Sequence, residues 1–242
     1  MKLFKLDAIN STNTYLRQLS KKQKTENWTV VSAEYQTTGR GQVDTKWVSD
    51  KGKNLIFSVL INYDSLIIQD QFYLNSAVSL GIYHALLKYN LPKLKIKWPN
   101  DIMAENKKLG GILIENSLKN DKIYQSVVGI GLNVNQDGFL GYPFQAISMK
   151  NMLNMTIDKE NLLNEIILSI KHYIDLLNKR EFSFLHAAYE NVLFKINKPH
   201  MFESDDQVFL GKITGVSKDG KIIIEDENEQ IRKFYFKEVK YL

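Results

Sequence analysis

The chain has 242 residues, 44% of them hydrophobic and 24% charged, with 13 Gly and 4 Pro; these globular averages exclude collagen-like, low-complexity and largely disordered chains and allow one to two domains. It has no cysteine, which removes a disulfide framework, Cys-ligated zinc, iron–sulfur clusters and a thiol nucleophile, and fits a reducing cytosol. Lys and Arg number 32 against 27 Asp and Glu, a net charge of +5; this suits an anionic ligand, and equally describes a solvated basic surface.

Asp7 interrupts the first residues before an apolar leader can form, and the longest apolar stretch, Leu55 to Ile61, is broken by Ser58 and too short to span a bilayer. A soluble chain with no membrane partner is expected. Ser11 can cap a short helix carrying Tyr15, Leu16 and Leu19. Trp28 to Tyr35 and Asn54 to Ile61 read as strands, the second largely buried. Between them, Gln36 to Lys53 is polar and punctuated by glycine, and a loop of that length in a compact domain is usually functional or disordered.

Phe72 to Leu87 has helical spacing and stops at Asn90-Leu91-Pro92. Leu94 to Trp98 is a short strand, Ile102 to Ala104 and Leu109 to Glu115 are hairpin arms turned at Glu105-Asn106-Lys107, and Ile123 to Leu132 is a further strand. Asp158 caps a long helix with Leu162, Ile166, Ile170, Tyr173 and Leu177 on one face; a second helix covers Phe184 to Leu193. After Asn197-Lys198-Pro199, short strands alternate with turns at Asp205-Asp206, Lys218-Asp219-Gly220 and Asp226 to Glu229, the pattern of a small β-barrel. The fold class is α+β, with domains at 1–196 and 197–242.

Four segments place polar or flexible residues at strand ends. In Gln36-Thr37-Thr38-Gly39-Arg40-Gly41, two glycines let backbone approach a ligand and Arg40 offers a fork of donors for phosphate or carboxylate; a plain surface loop has the same look. Asn100 and Asp101 follow Lys97-Trp98-Pro99 at a strand exit, where they can meet Mg²⁺, orient a nucleophile, or simply form an Asx turn. Lys107-Lys108-Leu109-Gly110-Gly111 runs a lysine pair into two glycines, marking either close approach of a ligand or a solvated pair beside a bulge. Gly129-Ile130-Gly131-Leu132-Asn133 lacks the third glycine of a dinucleotide fingerprint. The chain has no P-loop, G-x-S-x-G, H-E-x-x-H or EF-hand pattern, and its four histidines are scattered, so a side-chain nucleophile is not expected.

Five segments, in order, resemble the biotin protein ligase family over nearly the whole chain: Ser11-Thr12-Asn13; Ala33 to Gln36 with Gly39-Arg40-Gly41 and Lys46-Trp47; KWPNDI at Lys97 to Ile102; KKLGGILIE at Lys107 to Glu115; and GIGLNVN at Gly129 to Asn135. The resemblance implies a class II synthetase-like catalytic domain, a mixed sheet with flanking helices, followed by an SH3-like domain. It lacks room before Ser11 for the helix-turn-helix repressor domain of many bacterial members, so no specific DNA binding is expected.

The implied reaction activates biotin with MgATP to biotinyl-5'-AMP and transfers biotin to one lysine of a biotin carboxyl carrier protein in the cytoplasm. By similarity Lys108 bridges the biotin carboxylate and α-phosphate, Arg40 supports it, and Asn100 and Asp101 lie beside the reacting groups, Asp101 also as the metal candidate. Ser11, Thr12, Asn13 and Gln36 would bind biotin with Gly39, Gly41, Gly111, Gly129 and Gly131 around it, while Trp47 and Asn133 would contact ATP. One departure stands out: Gln42, Asp44 and Thr45 replace two arginines and a glycine of the family's GRGRRGR loop, which bears on retention of the adenylate. Rival readings are a lipoate ligase or octanoyl transferase, a DNA-binding biotin sensor and a catalytically dead biotin-binding module. Oligomeric state, monomer or homodimer, stays open.

Overall fold

Seven strands build the larger sheet: β1 (Leu3–Ile9), β2 (Val30–Gln36), β3 (Leu55–Ile67), β4 (Lys95–Lys97), β5 (Asp101–Ala104), β6 (Lys107–Lys119) and β7 (Lys122–Leu132), in the order β1-β2-β3-β7-β6-β5-β4. They come from a computed structural model that describes residues 2–42, 45–139 and 145–242. β1 and β2 are parallel and every other pair is antiparallel. The parallel pair needs a crossover, which α1 (Thr12–Lys22) supplies, its first turn capped by Ser11.

The two faces of the sheet have different covers. Alternation along β3 and β7 sends Phe57, Val59, Ile61, Val128, Ile130 and Leu132 into the main core. There they meet α2 (Gln71–Leu87), α4 (Lys159–Asn178) and α5 (Phe182–Asn191). On the opposite face Leu16 of α1 packs on Val31, Leu60 and Val127; full burial of an aliphatic side chain such as Leu16 is worth roughly 1.5–3 kcal/mol. Helix α1 covers only that part of the face, and the rest of the same face is the floor of a cavity. A short helix, α3 (Met149–Leu153), follows the β7 exit, its Ser148 and Asn151 forming a capping box.

The C-terminal part is a five-stranded antiparallel sheet of β8 (Pro199–Ser204), β9 (Gln207–Val216), β10 (Ile222–Asp226), β11 (Ile231–Phe234) and β12 (Lys240–Tyr241), ordered β11-β10-β9-β8-β12. It is joined to the larger sheet by one continuous apolar cluster. Polar ties reinforce the joint: Trp98 Nε1 donates to the Gly220 carbonyl at 2.9 Å, and the Val216 N–H donates to Glu190 at 2.8 Å.

The α1, hairpin, α4 and C-terminal turn expectations match these elements closely. Two differences have local causes. β1 is a parallel edge strand with Lys5 and Asp7 on a half-exposed ribbon, so its apolar alternation is diluted. β3 runs on through Asn62 and Asp64, past the last buried residues of its apolar run, as one arm of a long ladder with β7 that absorbs a register shift after Asn62.

Candidate active site

Register lays the floor of the cavity. Ile56 of β3 pairs with Gly131 of β7, Gly131 with Gly111 of β6, and Gly111 with Asp101 of β5, so these four residues form one row across four strands. The next row is Val31, Ser58, Gly129 and Leu113. Glycine in both rows lowers the floor: a Cβ on Gly129 would collide with Asn13 Oδ1, and one on Gly131 with the Trp47 indole. Above Gly111 a Cβ would make only ordinary contacts, at 3.4 Å to Lys108 and 3.5 Å to Asp101. The cavity over this floor measures about 960 Å³.

One end of it is a buried hydrogen-bonding cluster. Thr12 donates to Gln36 Oε1 from both its backbone N–H at 2.7 Å and its hydroxyl at 3.0 Å. Ser58 Oγ lies 2.7 Å from Thr12 Oγ1 and 2.5 Å from Asn13 Oδ1, and its single proton can serve only one of them at a time. Asn13 in turn donates to Glu115 Oε2 at 2.8 Å. The cluster thus holds more acceptor oxygens than protons to fill them, an arrangement that suits a neutral ligand bearing N–H groups.

At the other end Lys108 Nζ meets Asp101 Oδ1 at 2.7 Å. A β-bulge makes this pair possible. Asp101 pairs with Gly111 and Ile102 with Gly110, but Met103 pairs with Lys108, one residue having been inserted on β6. The shift moves Lys108 onto the face of Asp101 and Gly111, where regular alternation would send it to the opposite face. Asn100 supports the strand below, donating from Nδ2 to the Ile112 carbonyl at 2.5 Å.

The walls come from distant parts of the chain. Residues 39–42 pair with 45–47 as a hairpin: the Gly41 N–H donates to the Thr45 carbonyl at 2.7 Å, the Trp47 N–H to the Gly39 carbonyl at 3.0 Å, and the Thr45 hydroxyl to the Gln42 carbonyl at 2.7 Å. It lays Trp47 on Gly131, with the indole N–H buried and unpartnered among the described residues. Opposite, Phe236, Val239 and Tyr241 of the C-terminal part close over Trp98 and Lys97. Lys97 Nζ sits 4.4 Å above the Tyr241 ring. Burial holds the Lys97 ammonium below its ordinary pKa, opposed by Asp101 and reinforced by Lys108 and Lys195.

Among the described residues, the lining carries the cations Arg40, Lys46, Lys97, Lys108, Lys237 and Lys240 against a single carboxylate, Asp101. No group of three His, Asp or Glu able to hold a metal occurs among the described residues.

Most residues expected at the site line this cavity: Ser11, Thr12, Asn13, Gln36, Arg40, Gly41, Trp47, Asn100, Asp101, Lys108, Gly111, Gly129 and Gly131. Gly39 and Asn133 do not. Gly39 lies beneath Trp47, and Asn133 is buried, donating from Nδ2 to the Lys108 carbonyl at 3.3 Å while its own backbone carbonyl accepts from the Met149 N–H. Asn133 therefore holds the backbone of Lys108 from behind. Of the departures from the arginine-rich loop, Gln42 and Thr45 line the cavity, and Asp44 lies outside the described residues. Ser58 and Glu115 join the site without any role announced by the sequence around them. The one signal for Ser58 is a hydroxyl inside an otherwise apolar strand.

A surplus of cations around one carboxylate suits anionic substrates, and an enzyme that brings such substrates together is the class these features define. A sequence model of the Biotin/lipoate A/B protein ligase family matches residues 6–133, more than half of the chain, and the chain belongs to that family. It is 27% identical over 239 residues to the bifunctional ligase/repressor BirA of Bacillus subtilis, covering 97% of this chain and 72% of that one. It is 33% identical over 112 residues to the biotin–[acetyl-CoA-carboxylase] ligase of Mycobacterium tuberculosis, 44% of this chain and 40% of the relative. Its fold matches biotin protein ligase from Aquifex aeolicus in complex with biotin and ATP at a TM-score of 0.80 and 25% identity, covering 100% of this chain and 98% of that one.

Proposed function

We propose that the chain is a biotin protein ligase, using ATP to activate biotin and passing it to a lysine of a biotin carboxyl carrier protein. The observation that carries this reading is a single cavity with an acceptor-rich buried end at Thr12, Asn13, Gln36 and Ser58 and a cationic end at Lys108. A bicyclic urea with N–H donors fits the first, and its carboxylate tail reaches toward the second. Lipoate, the other substrate class in the family's description, has no N–H to offer the cluster.

In the first step a carboxylate oxygen of biotin attacks the α-phosphorus of ATP, and pyrophosphate leaves with the electrons of the broken P–O bond. Lys108 holds both anions while charge accumulates at the α-phosphate, and Arg40 reinforces it from the loop. In the second step the acceptor lysine amine attacks the carbonyl of the mixed anhydride, an amide forms, and AMP leaves. Mg²⁺ enters as MgATP. It takes oxygen ligands from one or two carboxylates and from phosphates, a requirement that Asp101 and the triphosphate fit, and it would neutralise phosphate charge. A cytoplasmic location is part of the same proposal, supported by the similarity to bacterial ligases. Incubating the protein with biotin, MgATP and a carrier domain, and weighing the carrier, tests the reading: one biotinyl group is expected per carrier domain. An unmodified carrier, or one that takes lipoate from a mixture of both acids, overturns it.

A further inference from the structure

Glu115 lies behind the cavity, on β6 two residues beyond Leu113 and so on the face of the glycine floor. Its Oε2 accepts from Asn13 Nδ2 of α1 at 2.8 Å and from Arg40 Nη2 of the loop hairpin at 2.8 Å, and its Oε1 is reached by Arg17 Nη1 at 3.5 Å. The carboxylate is mostly shielded, at 18% side-chain exposure, whereas both arginines are about half exposed. One oxygen atom thus joins a residue of the acceptor-rich pocket to a residue of the cationic end.

We propose that Glu115 is a positioning residue that couples the ring pocket to the loop arginine; the proposal rests on the reading of that pocket as the biotin ring site. A carboxylate can only accept, so it compels Asn13 to present Nδ2 to it and to turn Oδ1 toward Ser58 and the cavity. The Leu113 carbonyl accepts from the same Nδ2 at 3.3 Å, so two acceptor-only groups keep Oδ1 on the side where a ring N–H needs an acceptor, and Glu115 is the nearer of them. Arg40 shares the same oxygen. When it leaves Glu115 for an incoming anion, the carboxylate loses one of its charge-assisted donors and redistributes its hydrogen bonds among Asn13, Arg17 and water. Filling of one end of the cavity is thereby sensed at the other, with Glu115 touching neither substrate.

A double-mutant cycle on the full chain tests this, with Glu115→Gln, Arg40→Ala and the pair, reading dissociation constants by calorimetry without ATP. The probes are biotin and biotin methyl ester, whose ring is intact and whose tail offers Arg40 no carboxylate. The cycle asks whether the two sites are energetically linked, which a residue that merely steadied β6 would not show. Arg40→Ala is expected to weaken binding of the ester by about threefold or more when Glu115 is present, within the range for residues sharing one network, and to change it little in the Glu115→Gln background. The same factor in both backgrounds, or none in either, overturns the coupling while leaving the substrate reading intact. Wild-type protein that takes up neither biotin nor the ester overturns both. Thermal melts of all four proteins confirm that folded species are compared.

Discussion

Lys108 Nζ stands 2.7 Å from Asp101 Oδ1 directly over Gly111, and the contact exists because a bulge between β5 and β6 rotates Lys108 onto the cavity face. The carboxylate of Asp101 holds the ammonium at the end of the cavity that the proposed function gives to the reacting phosphate. Lys108→Ala should lower biotin-dependent pyrophosphate release by roughly 10²-fold or more, as when one preorganised electrostatic donor is removed. Lys107, exposed beside it at the start of β6, is the control, and Lys107→Ala should have little effect. Equal loss in the two variants, measured by pyrophosphate release from folded protein, removes Lys108 from the reaction.

The glycine rows predict a split between folding and binding. Gly129→Ala places a methyl group against Asn13, which α1 and Ser58 hold, so it should destabilise the fold by about 1–3 kcal/mol as overpacking does. Gly111→Ala meets only ordinary contacts in the free protein and should melt like wild type. It does raise the floor under the reacting groups, so the KM for biotin should rise roughly tenfold. Melting curves paired with initial rates check both; a Gly111→Ala variant with unchanged KM would mean the substrates do not reach the row between Gly131 and Asp101.

Ser58 makes the same argument from the polar side. Its hydroxyl lies between Thr12 and Asn13 in a fully buried position. Ser58→Ala removes the hydroxyl that holds Thr12 Oγ1 and Asn13 Oδ1 in place, with no change of backbone, so biotin binding should weaken by about 1–3 kcal/mol. Calorimetric titration measures this, and unchanged affinity would place the ring elsewhere in the cavity.

The depth to which the site can be read from sequence follows from how local each interaction is. Ser11 and Asp158 announce their helices because a cap acts within three residues, and the turn at Glu105-Asn106 shows itself by residue type alone. Lys108 and Asp101 could be singled out, but their meeting depends on a bulge that no residue between them signals. Ser58 and Glu115 gain meaning only through register, when Ser58 falls opposite Gly129 and Glu115 falls beside Asn13, some 102 residues away in the chain. The same holds for Phe236 and Tyr241, which reach the cavity only because the second sheet docks on Trp98. Asn133 shows the converse: a polar residue in a suggestive motif that lies off the cavity lining and donates to the backbone of Lys108.

Proton linkage at the joint between the two sheets gives a prediction about stability. Lys195 Nζ lies 2.9 Å from His200 Nδ1, a contact that requires the ring nitrogen to accept. Burial, then Lys195 and Lys97, lower the His200 pKa from its ordinary 6.5. Between the lowered folded value and 6.5 the unfolded chain binds more protons than the folded one, so stability is lost as pH falls through that window. Melting temperature should drop between about pH 7.5 and about pH 5.5, and His200→Gln, which cannot gain the charge, should drop less. Equal losses in the two proteins would remove His200 as a source of the acid sensitivity.

The loop hairpin carries the last prediction. Where many relatives of this family have arginines, Gln42 and Thr45 face the cavity, and the Thr45 hydroxyl is spent on closing the turn through the Gln42 carbonyl. Backbone and hydroxyl bonds thus tie residues 41 and 42 to Thr45, and position 42 offers the cavity a neutral amide. An arginine there would offer charge-assisted hydrogen bonds, roughly twice as strong as neutral ones, to the phosphate of a bound adenylate. The carbonyl that Thr45 uses belongs to the backbone, so Gln42→Arg leaves the turn intact. The variant should release biotinyl-5'-AMP more slowly, by about threefold to tenfold for one such bond at a partly exposed site, while still biotinylating a carrier domain. Trapping released adenylate over time from both proteins measures the two off-rates. Identical rates would mean that position 42 does not reach the phosphate and that retention rests on Arg40, Lys46 and the backbone amides of the hairpin.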